Sequence, residues 1–318
     1  MENIHTYSFH GMGSNLQLWL QHSDANVAQE VLAEAEAIFV AHEAIMTRFD
    51  SNSELSHLNA RAEQWVQLSN TLWEVINRAI QFAYQFDGLF DPTVIDVLEQ
   101  IGYTHSFVGG SSVGQDLYAT TAHTLASYTA VHLDPVHKAV WLPKGVRLDL
   151  GGIGKGFTAE TVVNFMHAWG PCLVDAGGDL TAGNPPEDMP GWPVGIATPY
   201  VGLAERPDIL RLWLANQTLA TSGIDYRRWQ HNGTPQHHII DPLLNDSAHT
   251  DLLTVSVLAE NACVAEAWAT AVLVAGFDVG YRMASQQQMP IAFIHQNHDL
   301  TVSPALYPQV QFADLSLI

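Results

Sequence analysis

The sequence predicts an α+β protein built on a large, mostly antiparallel sheet with helices packed against it. Three observations lead there. Short apolar or alternating runs, bounded by Gly, Pro, Asn and Asp, recur along the chain as strands do. A few longer stretches carry apolar residues three and four apart, as amphipathic helices require. No internal repeat and no linker rich in Gly, Pro or Ser interrupts the pattern, so residues 1–318 read as one domain.

The elements follow in order. Residues 5–22 form two strands about Gly11-Met-Gly13, and Leu16-Gln-Leu-Trp-Leu20 alternates as a half-buried strand does. A helix over 24–46 has Asp24 as its N-cap and Val27, Val31, Leu32, Ala35 and Ile38 as its apolar stripe. Ser53 caps a short helix, and a second amphipathic helix runs over 71–86 to the Asp87-Gly88 turn. Asp91 precedes Pro92 and must be extended, which places its carboxylate on a defined turn, with turn capping as the plain explanation. Residues 104–128 read as a polar loop. Val131-His-Leu-Asp134 and Ala139-Val-Trp-Leu142 make a hairpin that leads to a strand over 146–150.

A helix follows over 155–168, then a strand, Cys172-Leu-Val-Asp-Ala176, that enters a double-glycine turn with acids on both sides. Further strands are expected over 192–197, 209–215 and 219–222, with a surface loop at 185–190. Tyr226-Arg-Arg-Trp229 and His237-His-Ile-Ile-Asp-Pro242 form the next hairpin. A strand over 252–258, an apolar helix over 262–275, a second helix to 284, a strand over 291–295 and a strand-like tail complete the chain.

Hydrophobic residues are 47% of the 318 positions, enough for a sizeable core. Only 12 Lys and Arg face 33 Asp and Glu, a formal charge of −21. So acidic a surface excludes nucleic acid and anionic membranes as partners, and a bound polyanion must rely on a metal or on local N–H groups. Cys172 and Cys263 are too few for a disulfide framework or a metal cluster and read as buried free thiols. The N-terminus has no basic and then apolar leader, and no stretch approaches a membrane span. The chain as given reads as cytoplasmic, or as periplasmic if a leader has been removed, with no stable membrane insertion.

Chemistry concentrates in Arg147-Leu-Asp-Leu-Gly-Gly-Ile-Gly-Lys-Gly-Phe157. An apolar strand runs into glycines 151, 152, 154 and 156, and a helical pattern follows. That order points backbone N–H groups at an anion, and Gly permits the close approach. Lys155 sits inside the turn and Asp149 at the strand's end, the parts that a phosphate site near a metal needs. An ordinary strand-to-helix turn is the plain alternative, and neither G-x-x-x-x-G-K-[ST] nor G-x-G-x-x-G is present.

Glu266 and Thr270 lie four apart in a helix whose other residues are apolar. A carboxylate there must be paired, coordinated or hydrogen-bonded. It is either a first-turn acid favoured by the helix dipole or, with the Thr270 hydroxyl, a hard-metal site suited to Mg²⁺. His237 and His238 point to opposite faces of a strand, so one of them at most serves a given site. No H-E-x-x-H or C-x-x-C pattern supports a transition-metal cluster.

Together these segments resemble a known family. Met12-Gly-Ser14, Ser53-Glu-Leu-Ser-His-Leu-Asn59, Phe90-Asp-Pro-Thr-Val94, Asp149-Leu-Gly-Gly-Ile-Gly-Lys-Gly-Phe157, Gly177-Gly-Asp179, Thr221-Ser-Gly223, His238-Ile-Ile-Asp-Pro242 and Ala265-Glu-Ala-Trp-Ala-Thr270 stand in the order of the ApbE family, the FAD:protein FMN transferases. The resemblance covers nearly the whole chain, and its D-L-G-G-I-x-K-G and H-I-I-D-P blocks are specific. It implies a T-fold-like α+β domain that binds FAD and Mg²⁺. It also implies cleavage of the FAD pyrophosphate, release of AMP, and transfer of FMN to a Thr or Ser hydroxyl of a target protein, usually a subunit of a membrane redox complex. The positions that match FAD contacts are Met12, Phe49, Leu89, Phe90, Asp91, Asp149, Lys155 and Ile240. The metal positions fall on Gly152, through its carbonyl, and on Glu266 and Thr270. The chain departs from the family at two of these. Phe49 stands where many members carry Tyr, and Glu266 where the family carries Asp.

In that reading Mg²⁺, Lys155 and the glycine-turn N–H groups neutralise the pyrophosphate and the AMP leaving group. The acceptor hydroxyl needs a proton acceptor, with His238 first and Asp149 second. The alternatives are a Mg²⁺-dependent FAD pyrophosphatase giving FMN and AMP, and a non-catalytic flavin-binding protein.

Overall fold

Alternation along one strand shows how the architecture arises. Leu16, Leu18 and Leu20 are all buried while Asn15, Gln17 and Trp19 are not, so one face of the strand is a core face. The computed structural model describes residues 3–105, 127–199 and 207–313. Most of the loop expected over 104–128, and residues 314–318 of the expected tail, lie outside the described residues.

In chain order the elements are β1 (Ile4–Gly11), β2 (Ser14–Gln21), α1 (Ala25–Met46), α2 (Glu54–Asn59), β3 (Trp65–Gln67), α3 (Asn70–Gln85), α4 (Ile95–Gln100), β4 (His132–Asp134), β5 (Ala139–Trp141) and α5 (Gly154–Met166). Then come β6 (Cys172–Ala176), β7 (Leu180–Ala182), β8 (Trp192–Ala197), β9 (Asp208–Leu214), β10 (Thr218–Gly223), β11 (Arg228–His231), β12 (Thr234–His237), β13 (Ile240–Asp241) and β14 (Asp246–Ser247). β15 (Leu252–Ala259), α6 (Ala262–Ala275), α7 (Phe277–Gln286), β16 (Ile291–His295), β17 (Leu300–Val302) and β18 (Val310–Ala313) follow.

Two compact units are assembled from interleaved stretches of chain. The first falls within Met1–Val40, Lys155–Tyr226 and Thr250–Ile318, the second within Ala41–Gly154 and Arg227–His249. No linker signal marks the division, because the chain passes from one unit to the other inside continuous elements such as α1.

The first unit is organised by an eight-stranded sheet of order β1-β2-β6-β7-β10-β15-β16-β17, antiparallel at every pairing, as the α+β expectation required. Its opening hairpin turns through Met12 and Gly13, both left-handed at φ 50° and 68°. Cys172 and Val174 of β6 face a cluster made with Leu16, Leu18 and Leu20 of β2, Val31, Leu32 and Phe39 of α1, and Val162 and Met166 of α5. Leu173, between them, faces the other side, where Val194 and Ile196 of β8 and Leu210, Leu212 and Leu214 of β9 cover the sheet. That second layer is the three-stranded sheet β18-β9-β8. Asp24 begins α1 as expected, its Oδ1 accepting from the N–H groups of Asn26 and Val27 at 2.9 and 3.4 Å. Helix α6 has the expected bounds, is capped by Asn261, and is buried along nearly its whole length. Cys172 and Cys263 are free and buried.

The second unit holds α2, α3, α4, the small sheet β3-β5-β4 and the two hairpins β11-β12 and β13-β14. Ser53 caps α2 as expected, accepting from the Ser56 N–H at 3.0 Å. α3 buries Leu72, Trp73, Val75, Ile76, Ala79, Ile80 and Ala83, one stripe of a 3.6-residue period. Trp229 of β11 and Ile240 of β13 pack with Val97, Leu98 and Ile101.

Three local expectations are corrected. Residues 146–150 form no strand. Their backbone groups are taken by other partners: the Leu148 N–H donates to Asn59 Oδ1 at 2.8 Å, the Leu148 carbonyl accepts from Asn59 Nδ2 at 2.9 Å, and the Asp149 N–H donates to the Pro92 carbonyl at 2.8 Å. The 226–242 segment makes two hairpins rather than one, because the chain leaves the ladder at His238 and Ile239, so the two histidines do not alternate on one strand. Lys155 stands in the first turn of α5, which begins at Gly154, and not inside the glycine turn. Among the described residues no helix is long and apolar enough to cross a membrane.

Candidate active site

In the first unit one lysine organises two carboxylates. Lys155 Nζ donates to Asp179 Oδ2 at 2.8 Å and to Glu266 Oε1 at 3.0 Å. All three side chains are largely buried, at 15, 11 and 6% exposure. Asp179 is delivered by β6 through the Gly177-Gly178 turn, whose φ values of 74° and 100° glycine tolerates best. Its Oδ1 accepts from the Thr221 N–H at 2.9 Å. Glu266 is delivered by α6, and its Oε2 accepts from the Gly156 N–H at 3.1 Å.

Gly156 is glycine for a steric reason. A Cβ there would meet Glu266 Oε2 at 2.7 Å and the Ala262 carbonyl carbon at 3.2 Å, so α5 and α6 approach closely only because the side chain is absent. Glu266 is therefore neither a cap nor a solvated first-turn acid. It is a buried, paired carboxylate, as its apolar surroundings demanded. Burial pushes its carboxyl up, to about 7; Lys155 pulls it down and Asp179 pushes it up. Thr270, one turn on, shares a hydrogen bond of 2.9 Å with Ser222 Oγ, and Thr221 Oγ1 lies 2.8 Å from Ser256 Oγ. Met12 is half-buried against the β2, α1 and α5 cluster.

In the second unit Asp149 shapes the glycine turn. Its Oδ1 accepts from the Gly151 N–H at 2.8 Å, and its Oδ2 lies 2.6 Å from Arg48 Nε. Phe90 packs against Gly152, where an added Cβ would come within 3.2 Å of its ring. Asp91 caps its own turn, Oδ1 accepting from the Thr93 N–H and hydroxyl, both at 2.7 Å, while burial pushes its carboxyl up. Leu89 is half-buried, Ile240 is buried, and Phe49 is 42% exposed. His238 is half-buried just beyond β12. His237 is buried, Nε2 lying 3.1 Å from the Ala248 carbonyl, and its pKa is held down to about 4 by burial.

Lys155 and Glu266 are thus brought into contact, with Thr270 on the same helix, and Phe90 is brought onto Gly152. Asp179, Ser222 and Arg48 carry no assigned role in the sequence reading, and Gly156, read as part of an anion-facing turn, instead gives its N–H to Glu266. Asp179 was signalled by its place after a double glycine, and Arg48 by standing next to Phe49 in a chain poor in cations.

Among the described residues no group of three or more His, Cys, Asp and Glu side chains is placed to hold a metal ion. The donors expected for Mg²⁺ are nevertheless of the right kind, a carboxylate and a hydroxyl. Among the described residues one ammonium, Lys155, faces the two carboxylates of Asp179 and Glu266, an acid-rich pairing that a hard cation would complement. The residues present therefore fit the ion.

A family model described as the ApbE family matches residues 12–294. A Treponema pallidum (strain Nichols) protein named FAD:protein FMN transferase is 31% identical over 273 residues, covering 79% of this chain and 74% of that one. Its namesake from Klebsiella pneumoniae (strain 342) is 24% identical over 308 residues, covering 94% and 92%. The crystal structure of the ApbE protein of Thermotoga maritima shares the fold, with a TM-score of 0.85 at 23% identity over 97% of this chain and 100% of that one. So does the apo flavinyl transferase ApbE of Pseudomonas stutzeri, with a TM-score of 0.81 at 20% identity over 98% of each. Matched by the family's model along most of its length and by a relative at 31% identity, the chain belongs to the ApbE family.

Proposed function

We propose that this protein transfers FMN from FAD to a Thr or Ser hydroxyl of a target protein, a subunit of a redox complex, and releases AMP. The observation that carries the reading is the buried Lys155 ammonium at the start of α5, directly after the glycine turn and held by Asp179 and Glu266. In a chain of formal charge −21 it is a fixed cation at a helix N-terminus, where a pyrophosphate is stabilised electrostatically. The names of the relatives support the same chemistry.

In the transfer the acceptor oxygen attacks the FMN phosphorus, the bond from that phosphorus to the bridging oxygen breaks, and AMP leaves with the bridging oxygen. Lys155 stabilises the charge that develops on the phosphate oxygens. Asp149, engaged by Gly151 and Arg48, orders the turn. His238 takes the acceptor's proton. Phe49, Leu89, Phe90, Asp91 and Ile240 in the second unit supply FAD contacts. Glu266 and Thr270 in the first unit would hold Mg²⁺, whose charge would neutralise pyrophosphate oxygens.

The test is to incubate the purified protein with FAD, Mg²⁺ and a peptide-bearing acceptor and to follow target and nucleotides by mass spectrometry. FMN added to an acceptor Thr or Ser, with AMP released in equal amount, is expected. Free FMN and AMP with an unmodified acceptor would make the protein an FAD pyrophosphatase, and intact bound FAD would make it a flavin binder. Replacing His238 with Ala is expected to slow transfer at least tenfold, and an unchanged rate would remove it as the proton acceptor.

A further inference from the structure

Arg48 makes more connections than any role assigned so far explains. Its side chain is only 4% exposed. Nε lies 2.6 Å from Asp149 Oδ2, Nη2 donates to the Tyr103 carbonyl at 2.8 Å, and Nη1 lies 3.7 Å from Glu99 Oε1. Its guanidinium carbon stands 4.3 Å from the Phe49 ring centroid and 5.2 Å from that of Tyr103. Tyr103 stacks on Trp229 at 5.5 Å and 20°, and the Trp229 indole N–H donates to the Ile101 carbonyl at 2.6 Å. Glu99 is itself held by Arg147.

Taking a guanidinium out of water is costly unless its charge and its donors are met. Here the charge is met by the Asp149 carboxylate and, at 3.7 Å, by Glu99, while Nη2 donates to the Tyr103 carbonyl; the contact of Nε with Asp149 is an ion pair without hydrogen-bond alignment. A planar fork can do this at one time, and a lysine ammonium, a single point of charge, cannot. What the arrangement secures is specific. Asp149 is fixed through Oδ2 while its Oδ1 holds the Gly151 N–H, so the start of the glycine turn is tied to Arg48 through one carboxylate. Phe49 lacks the hydroxyl that would anchor a tyrosine, and its placement rests on ring contacts with Arg48 and Tyr103, the latter edge-on at 6.1 Å.

We infer that Arg48 is a positioning residue for flavin-nucleotide binding: it locks Asp149 and the glycine turn to the exposed Phe49 ring, so that the turn and the ring keep one geometry. This rests on the proposed function for its ligand, and on the second unit alone for its structure.

The test compares the native chain with Arg48→Lys, Arg48→Met and Asp149→Asn. Hydrogen exchange of the 147–156 backbone, measured without flavin, reads the lock. FAD affinity from flavin fluorescence, and KM and kcat of transfer, read its use. The expected result is faster exchange over 147–156 in all three variants and FAD affinity lowered at least tenfold. In the two Arg48 variants KM for FAD should rise in parallel while kcat stays within about threefold, with Arg48→Lys recovering only part of the loss. Folded Arg48→Lys and Asp149→Asn proteins with FAD affinity within twofold of native would overturn the inference, even if Arg48→Met does not fold. A native chain that neither binds FAD nor transfers FMN would sink the proposed function instead. Exchange would then still decide the lock, with unchanged rates in Arg48→Lys refuting it.

Discussion

Gly156→Ala sets two rules against each other, and the structure decides the sign. Gly156 lies in the first turn of α5, where helix propensity favours Ala by at most about 1 kcal/mol. The added Cβ would fall 2.7 Å from Glu266 Oε2 and 3.2 Å from the backbone of Ala262, closer than carbon packs. Either Glu266 moves or the two helices separate. Moving the carboxylate gives up the Gly156 N–H bond, a contact to a charged group worth about 1.5–3 kcal/mol. Forcing a methyl against the backbone of a packed helix costs a further 1–3 kcal/mol or so. The net expectation is a loss of about 2–5 kcal/mol, read as a lower urea midpoint by tryptophan fluorescence. The same substitution in a Glu266→Ala background, which removes the carboxylate from the clash, should cost at least about 1.5 kcal/mol less. If Gly156→Ala were as stable as the native chain, or cost the same in both backgrounds, the close approach of α5 to Glu266 would not be what requires glycine.

Other expectations follow from single groups. His237 is neutral in the folded state, its pKa held down to about 4 against an ordinary 6.5. Below pH 6.5 the unfolded chain takes up the proton first, so stability present above 6.5 is lost as pH falls toward 4, by about 3 kcal/mol. Urea midpoints at pH 7.5 and 4.5 should differ less in His237→Gln, and an identical acid slope would refute the assignment. Burial pushes the Cys172 thiol up to about 12, so iodoacetamide at pH 8 should leave Cys172 unmodified until urea unfolds the chain. Labelling of Cys172 in the native protein would contradict its environment. Asn59→Ala removes both side-chain bonds to the Leu148 backbone and should lower stability by about 2–3 kcal/mol, with faster amide exchange at Leu148; native exchange there would mean that Asn59 does not hold this segment.

What was legible in the sequence is what local chemistry determines. The alternation of Leu16, Leu18 and Leu20 marks a sheet face whatever lies opposite, and Ser53 caps α2 through an N–H three residues away. The segment over 146–150 has the apolar content of a strand, yet its backbone bonds go to Asn59 and Pro92, so composition could not distinguish a ladder from an extended run held by a side chain. The departure of His238 from the ladder is equally a matter of partners, not of propensity. The candidate site divides along the same line. A carboxylate in the apolar helix α6 had to be satisfied, and that requirement is local. Which group satisfies it is not: Lys155 stands 111 residues away in the chain and Arg48 about a hundred from Asp149, separations across which no periodicity carries information. Glu266, one methylene longer than the Asp that the resemblance led one to expect, touches both the Lys155 ammonium and the Gly156 N–H. A change that looks conservative in the sequence therefore bears on how the carboxylate is shared between a lysine of the protein and the cation it would hold.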